Sequence, residues 1–215
     1  MNIARWPLTG VLLAAFLPAH AADSMVVYTK GGANPAAMAC ITCHGAEGEG
    51  MAAAGFPRLA GLSAGYMRKQ LADFASGARV NPIMQPIAAA LSAEEADAVT
   101  AMLADKPGPE VERVGRTAAV EGPGETLALR GAWARNIPEC VACHGPSGVG
   151  VGDAFPPLAG QSAQYLAAQL NAWRQGTRKN DPNDLMGHIA RSLTDDEVKA
   201  VSAYFAGLTD QGAAR

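Results

Sequence analysis

The sequence predicts an all-α fold in which two tandem copies of one small domain are joined by a segment rich in proline and glycine. Three observations lead to this prediction. The second half of the chain repeats the distinctive residues of the first half in the same order. Each copy contains segments whose capping residues and apolar spacing are typical of amphipathic helices. The sequence also contains no segment with a convincing β-strand pattern.

The internal repeat determines the domain organisation. It starts at two cysteine motifs, after which the sequence FPRLAG at residues 56–61 returns as FPPLAG at residues 155–160. A repeat that keeps the order of its residues, with shifts of only one and three positions in register, indicates that one structural unit has been duplicated. The further matching residues are Ser63, Tyr66, Gln70, Leu71, Gly77, Arg79, Met84, Ile87, Ala88 and Leu91, which return as Ser162, Tyr165, Gln169, Leu170, Gly176, Arg178, Met186, Ile189, Ala190 and Leu193.

The repeat assigns residues 24–104 to domain 1 and residues 126–209 to domain 2. Residues 105–125 lie between the two copies and contain the stretches Lys106-Pro107-Gly108-Pro109 and Gly122-Pro123-Gly124. Proline and glycine at this density, without apolar periodicity, predict a linker.

Two helices can be placed in each copy from their end signals. Residues 63–77 and 162–176 each begin with an N-capping serine, carry apolar residues at helical spacing and end at a glycine. The closing helix of each copy begins with a capping box, Ser92 to Glu95 in domain 1 and Thr194 to Glu197 in domain 2.

Residues 1–21 have the features of a secretory signal peptide. Arg5 precedes an apolar run from Leu8 to Leu17, and Ala19-His20-Ala21 supplies a small-residue cleavage signal. The apolar run is shorter than the roughly 20 residues of a membrane-spanning helix. We therefore expect export to the periplasm with cleavage after Ala21; the alternative is an uncleaved membrane anchor.

Composition excludes one class of partner and raises a question about the core. The chain has 17 lysine and arginine residues against 20 aspartate and glutamate residues, so no basic stripe indicates nucleic-acid binding. Aromatic residues make up only 6% of the sequence. Two small domains with so little bulky material need another group to fill their interiors.

All the cysteines of the chain lie in two C-x-x-C-H motifs. This is the attachment pattern of haem c. Two thiols on one helical turn can form thioether bonds to the two vinyl groups of one haem, and the adjacent histidine then lies beneath the iron. The sequence therefore predicts two covalently bound haem c groups with His44 and His144 as iron ligands. The motifs are Cys40-Ile41-Thr42-Cys43-His44 and Cys140-Val141-Ala142-Cys143-His144.

Three other uses of these cysteines are less consistent with the sequence. A zinc site built from two C-x-x-C pairs usually has the pairs closer together. A thioredoxin-like redox pair needs a strand followed by a helix, and disulfides within each pair would leave both histidines unexplained.

The second axial ligand of each iron is predicted to be methionine. Domain 2 contains a single methionine, Met186, and the repeat aligns it with Met84. Residues 81–86 are predicted to form a loop that carries Met84 over the haem. His188 is a chemical rival for Met186, but it would break the register of the repeat. Domain 1 also offers Met25, Met38, Met51, Met67 and Met102 as candidates, but the repeat selects Met84. Met51, Met67 and Met102 are interpreted as core or surface residues.

Each half of the chain resembles a class I cytochrome c, and the tandem resembles the cytochrome c4 family. The resemblance implies two haems with histidine and methionine ligands in a periplasmic electron carrier. It also implies that the carbonyl groups of Pro57 and Pro156 hold the histidine rings, while Leu59 and Leu158 pack on the haems. Arg79 and Arg178 either hold haem propionates or are solvated surface charges.

The leading functional expectation is a soluble shuttle that carries electrons from a cytochrome bc complex to a terminal oxidase. The alternative is a cytochrome subunit that accepts electrons from a periplasmic dehydrogenase oxidising sulfide or an alcohol. In both cases membrane association arises only through partners or an uncleaved signal segment. The chain is not expected to be an enzyme, since similar dihaem thiosulfate dehydrogenases use an axial cysteine and this chain has none to spare.

Overall fold

The computed structural model describes residues 22–114 and 119–209. The predicted signal peptide, residues 1–21, lies outside the described residues. The described part consists of ten α-helices, four short 3₁₀ helices and isolated β-bridges, without a β-strand. The all-α prediction is confirmed.

The helices of the two domains occur in the same order. The first domain contains α1 (Ser24–Lys30), α2 (Ile41–His44), α3 (Ala64–Ser76), α4 (Met84–Ala90) and α5 (Ala93–Asp105). The second contains α6 (Gly122–Arg130), α7 (Cys140–His144), α8 (Ala163–Arg174), α9 (Leu185–Ser192) and α10 (Asp195–Ala206). The 3₁₀ helices are Ala52–Ala54, Trp133–Arg135, Pro146–Gly148 and Pro182–Asp184.

The helix ends follow the predicted capping chemistry. Ser63 Oγ accepts a hydrogen bond from Tyr66 N at 3.2 Å, and Ser162 Oγ accepts one from Tyr165 N at 3.1 Å. Helix α3 is capped by Gly77 as predicted, whereas α8 ends at Arg174 with Gln175 as its cap. Both predicted capping boxes are present at the starts of α5 and α10. Each satisfies backbone N–H groups that the first helical turn leaves unpaired.

Each domain has a small apolar core between its first and last helices. Helix α1 packs against α5, and α6 packs against α10. The buried core of domain 1 consists of Val27, Tyr28, Leu62, Tyr66, Met67, Val99 and Leu103. The core of domain 2 consists of Leu127, Ala128, Leu129, Ile137, Val141, Ala159, Leu193, Val198, Val201, Phe205 and Leu208.

The segment predicted as a linker is more structured than its composition indicates. Helix α6 begins at Gly122, so residues 122–125 are helical. Pro123 is compatible with this position because the first turn of a helix needs no N–H partner there. Val111 and Val114 pack against the core of domain 2. The predicted linker, residues 105–125, therefore includes the first turn of α6 at its C-terminal end.

The two domains meet along the segments that follow α3 and α8. Val80 N donates a hydrogen bond to Thr177 O at 2.8 Å, and Lys179 N donates one to Ala78 O at 2.8 Å. These two bonds flank an antiparallel bridge between Arg79 and Arg178. Equivalent residues of the repeat thus face each other across the boundary between the domains.

Across the described ranges, none of the helices has the length and hydrophobicity needed to cross a membrane.

Candidate functional site

Each C-x-x-C-H motif forms a single helical turn that ends at its histidine. Gly45 has φ 83° and Gly145 has φ 80°, a backbone conformation that favours glycine. The chain therefore leaves the helix directly after His44 and after His144. Both cysteines of a motif and its histidine are held on one short, rigid element.

The two histidines are held in the same way. His44 Nδ1 donates a hydrogen bond to Pro57 O at 2.9 Å, and His144 Nδ1 donates one to Pro156 O at 2.8 Å. Burial lowers the pKa of both imidazoles. A neutral ring whose Nδ1 carries the proton presents the lone pair of Nε2. His144 Nε2 is buried without a hydrogen-bond partner among the described residues.

A cavity adjoins each motif. The cavity of domain 1 measures about 430 Å³ and that of domain 2 about 420 Å³. The predicted site residues Cys40, Cys43, His44 and Met84 line the first cavity. The corresponding residues Cys140, Cys143, His144 and Met186 line the second. The fold thus brings together the predicted residues of each site, although the methionine lies 40 or more positions from its C-x-x-C-H motif.

Met84 and Met186 are placed by helices rather than by a loop. Met84 is the first residue of α4 and Met186 the second residue of α9, so the prediction of a loop over residues 81–86 is wrong at its end. Asn81 Oδ1 accepts a hydrogen bond from Met84 N at 2.9 Å. Asp181 Oδ2 accepts hydrogen bonds from Met186 N and, at 3.1 Å, from Gly187 N. These side chains satisfy free N–H groups in the first turn of each helix, where the methionine lies.

Sequence reasoning missed Asn81 and Asp181 as positioning residues. The available signal was a recurring dipeptide, because both residues precede a proline, at 82 and at 182. Asparagine or aspartate before proline favours the start of a turn, in which its side chain binds nearby backbone N–H groups.

The other candidate ligands for the irons do not occur at equivalent positions of the two cavities. Met38 and Met67 also line the cavity of domain 1, but the repeat replaces them with Pro138 and Leu166 in domain 2. Among the described residues that line the cavities, Met84 and Met186 are the only aligned pair of the repeat in which both members are methionine. His188 is exposed and is not among the residues that line the cavity of domain 2.

The cysteines are poor candidates for the alternative chemistries. All four are unpaired in the structure. Burial raises the pKa of Cys40 and raises that of Cys140 to about 12, whereas a redox-active cysteine needs a lowered pKa to react as a thiolate. Within residues 22–114 and 119–209, no three His, Cys, Asp or Glu side chains are grouped to bind a metal ion.

A cluster of polar side chains connects the two cavities. We define the interface cluster as Tyr66, Gln70, Arg79, Tyr165, Gln169 and Arg178. All of its members except Arg79 line both cavities, and Arg79 lines that of domain 1. Arg79 donates to Gln70 Oε1 at 2.9 Å, to Tyr165 OH at 2.8 Å and to Gln169 Oε1 at 2.6 Å. Arg178 donates to Gln169 Oε1 at 3.0 Å and to Gln70 Oε1 at 3.2 Å.

The two arginines of this cluster are not surface charges. Arg79 is 5% exposed and Arg178 is 6% exposed, so the interpretation as solvated residues is wrong. Their hydrogen-bond acceptors within the described chain are amide and phenol oxygens rather than carboxylates. Burial, and then the nearby charge of Arg79, lower the pKa of Arg178.

The residues of both cavities fit haem c. Two buried guanidinium groups need anionic partners, which the carboxylates of a haem would provide. His144, whose Nε2 has no hydrogen-bond partner among the described residues, lines a predominantly apolar cavity. The thiols of Cys140 and Cys143 and the thioether of Met186 line the same cavity. This donor set suits a haem iron with histidine and methionine ligands.

Comparison with known proteins gives the family. A family model described as cytochrome c matches residues 29–105 and again residues 130–209. The chain belongs to the cytochrome c family. Its two cytochrome c domains bind two haem c groups covalently, as the sequence predicted, and the resemblance to cytochrome c4 is confirmed.

Three similar proteins extend this comparison. A thiosulfate dehydrogenase electron acceptor from Stutzerimonas stutzeri is 71% identical over 209 residues, which cover 97% of each chain. A solved thiosulfate dehydrogenase from Marichromatium purpuratum is 41% identical with a TM-score of 0.77, covering 86% of this cytochrome but 39% of that chain. Reduced cytochrome c4 from Pseudomonas stutzeri is 33% identical with a TM-score of 0.68, covering 79% and 93% of the two chains.

These similarities correct the leading functional expectation. A shuttle from a cytochrome bc complex to a terminal oxidase was predicted, and the near full-length relative is instead named an electron acceptor of thiosulfate dehydrogenase. The prediction of a free shuttle is therefore wrong, and the alternative of a dehydrogenase electron acceptor is favoured. The motifs are shared by both classes of cytochrome, so they could not distinguish the partner.

We predict that the second domain cannot complete its interior without its haem. In the double variant Cys140→Ala/Cys143→Ala, the apolar walls of the cavity would face water, because about 80 residues bury too small a core to compensate. Far-ultraviolet circular dichroism should show a loss of helix, and the cooperative melting transition of domain 2 should disappear.

The exposed Ala142 lies between the two thiols and provides the matched control. Ala142→Ser should retain both the helical signal and the haem absorbance. Native helical content with a cooperative melt in the double variant would contradict the prediction.

Proposed function

We propose that this cytochrome is the periplasmic electron acceptor of a thiosulfate dehydrogenase. The observation that carries the proposal is the 71% identity, over 97% of both chains, to a protein of that name. The similarity to a solved thiosulfate dehydrogenase supports it, since 86% of this chain corresponds to part of that longer chain. The periplasmic location rests on the predicted signal peptide.

The proposed roles of the site residues follow from their chemistry. Bound haem c supplies an iron that gains and loses one electron. Cys40 and Cys43 hold one haem by thioether bonds, and Cys140 and Cys143 hold the other. The Nδ1 atoms of His44 and His144 are held by Pro57 O and Pro156 O, so their Nε2 atoms would be the proximal ligands of the two irons.

Met84 and Met186 are the proposed distal ligands. Each is held in the first turn of its helix by a hydrogen bond from its backbone N–H to the side chain of Asn81 or Asp181. A thioether ligand raises the reduction potential relative to a second histidine. Methionine at both cavities therefore suits a molecule whose role is to accept electrons.

The interface cluster holds the two sites next to each other. Tyr66, Gln70, Tyr165, Gln169 and Arg178 line both cavities, so the two redox centres share one wall. Oxidative coupling of two thiosulfate ions releases two electrons, and two centres in one chain can accept both.

We propose that the cytochrome does not itself oxidise thiosulfate. Histidine and methionine side chains would occupy both axial positions of each iron, which leaves no position for a substrate. Every cysteine of the chain belongs to a C-x-x-C-H motif. None is therefore free to act as an axial ligand of the kind expected in dihaem thiosulfate dehydrogenases.

The acceptor role predicts a preference between electron donors. Reduction of the cytochrome is followed by its haem absorbance under anaerobic conditions, with either thiosulfate and a thiosulfate dehydrogenase or quinol and a cytochrome bc complex as the donor. The kcat/KM for the dehydrogenase should be at least about tenfold higher, which corresponds to about 1.4 kcal/mol of transition-state stabilisation. Thiosulfate alone should reduce the cytochrome no faster than buffer. Equal or faster reduction by the cytochrome bc complex would contradict the proposal, as would reduction by thiosulfate without the dehydrogenase.

The ligand assignment has a spectroscopic test. The weak absorption band near the red end of the oxidised spectrum reports iron–sulfur ligation, so Met84→Ala and Met186→Ala should each remove about half of it. Met67→Leu is the matched control, because Met67 lines the same cavity as Met84 and the repeat has Leu166 at this position. This variant and His188→Ala should leave the band intact. An unchanged band in Met186→Ala would show that the second iron is not bound by methionine.

A further inference from the structure

A third buried arginine lies between the domains, away from the interface cluster. Arg58 is 7% exposed and follows Pro57, the residue whose carbonyl holds the ring of His44. The corresponding residue of domain 2 is Pro157, so this cation has no counterpart there.

The guanidinium group of Arg58 bridges equivalent points of the two domains. Its Nη1 donates to Ala60 O in domain 1, and its Nη2 donates to Ala159 O in domain 2 at 3.3 Å. Ala60 and Ala159 occupy the same position of the repeat. Gln161 of domain 2 holds the backbone of Arg58 from both sides, accepting from its N at 3.0 Å and donating to its O at 3.1 Å.

The two loops that Arg58 joins are each hydrogen-bonded to the segment that follows the histidine of a C-x-x-C-H motif. Ala60 N donates to Gly48 O at 3.0 Å, and Ala159 N donates to Gly148 O at 3.1 Å. Gly48 and Gly148 follow His44 and His144 by four residues. The charge of Arg58 is therefore placed between the two loops that position the proximal ligands.

This charge has no acidic partner in the described part of the chain. The acceptors of its guanidinium group are backbone carbonyls, and Nε has no hydrogen-bond partner. Burial lowers its pKa, but an arginine stays protonated at neutral pH. A buried cation that is not neutralised acts over a longer range than a solvated one.

We propose that Arg58 is a positioning residue whose charge acts on both haems. It fixes the loops that contain Ala60 and Ala159 relative to each other, and it favours the ferrous state of both irons. A ferrous haem carries one positive charge less than a ferric haem, so a nearby buried cation shifts each one-electron equilibrium towards reduction. Because a buried charge is screened less than a solvated one, a unit charge at the domain boundary changes such an equilibrium several-fold. The inference uses the two bound haems and does not depend on which dehydrogenase is the partner.

The direct test removes the charge of Arg58 and retains a hydrogen-bonding side chain. In spectroelectrochemical titrations of the holoprotein, Arg58→Gln should lower the ferrous-to-ferric ratio of both haems at a fixed ambient potential by about three- to tenfold, where tenfold corresponds to 59 mV for one electron. Arg58→Lys keeps the charge and should stay within about twofold of the parent protein. The exposed Arg68, which pairs with Asp97 at 3.4 Å, supplies the control Arg68→Gln, which should cause no shift.

A second variant neutralises Arg58 without replacing it. A Cβ atom built on Gly108 would lie 3.8 Å from Arg58 Nη1, in ordinary van der Waals contact. Gly108→Asp should therefore place a carboxylate beside the guanidinium group and lower both ratios as Arg58→Gln does. Gly108→Asn has nearly the same shape without the charge and should leave both ratios unchanged.

The paired glycine variants decide the question even if Arg58→Gln does not fold. Equal potentials in Gly108→Asp and Gly108→Asn would overturn the electrostatic role and leave Arg58 as a structural link only. A lower melting temperature with unchanged potentials in Arg58→Gln would do the same. A shift confined to one haem would overturn the claim that the charge is shared.

Discussion

Burial of positive charge at the domain boundary is the constraint on which the arrangement of this cytochrome depends. Arg58, Arg79 and Arg178 are all at most 7% exposed, and they donate to backbone carbonyls, amides and phenols instead of carboxylates. Such an arrangement is costly unless further anionic groups complete it. Haem carboxylates in the two adjoining cavities would supply them for Arg79 and Arg178, which line those cavities, whereas the acceptors of Arg58 are backbone carbonyls. The packing of the domains is thereby connected to the presence of both haems.

The same charges connect the fold to the function. Cations near a haem favour the reduced iron, and a thioether ligand acts in the same direction. Both effects raise the affinity of the haems for electrons, which suits a molecule that accepts them from a donor. The repeat supplies two such centres, and the interface cluster makes them neighbours.

Local chemistry made much of the site predictable from sequence. The C-x-x-C-H motifs, the capping boxes and the pairing of Met84 with Met186 all depend on a few adjacent residues or on the repeat itself. The predicted ligands therefore line the expected cavities.

The start of α4 at Met84 was missed because it depends on hydrogen bonds from Ile83 N and Met84 N to the side chain of Asn81. The burial of Arg79 and Arg178 was missed because each is covered by the other domain. The partner could not be read from motifs that shuttles and dehydrogenase acceptors share.

The central claim is that one molecule accepts two electrons from a thiosulfate dehydrogenase and distributes them between its haems. Single-turnover mixing of the reduced dehydrogenase with the oxidised cytochrome tests this most directly. Two electrons should enter each cytochrome chain. Transfer of an electron from the haem that is reduced first to the other haem should occur at a rate independent of the dehydrogenase concentration. Reduction of only one haem, or a transfer to the second haem whose rate rises in proportion to the dehydrogenase concentration, would contradict the account.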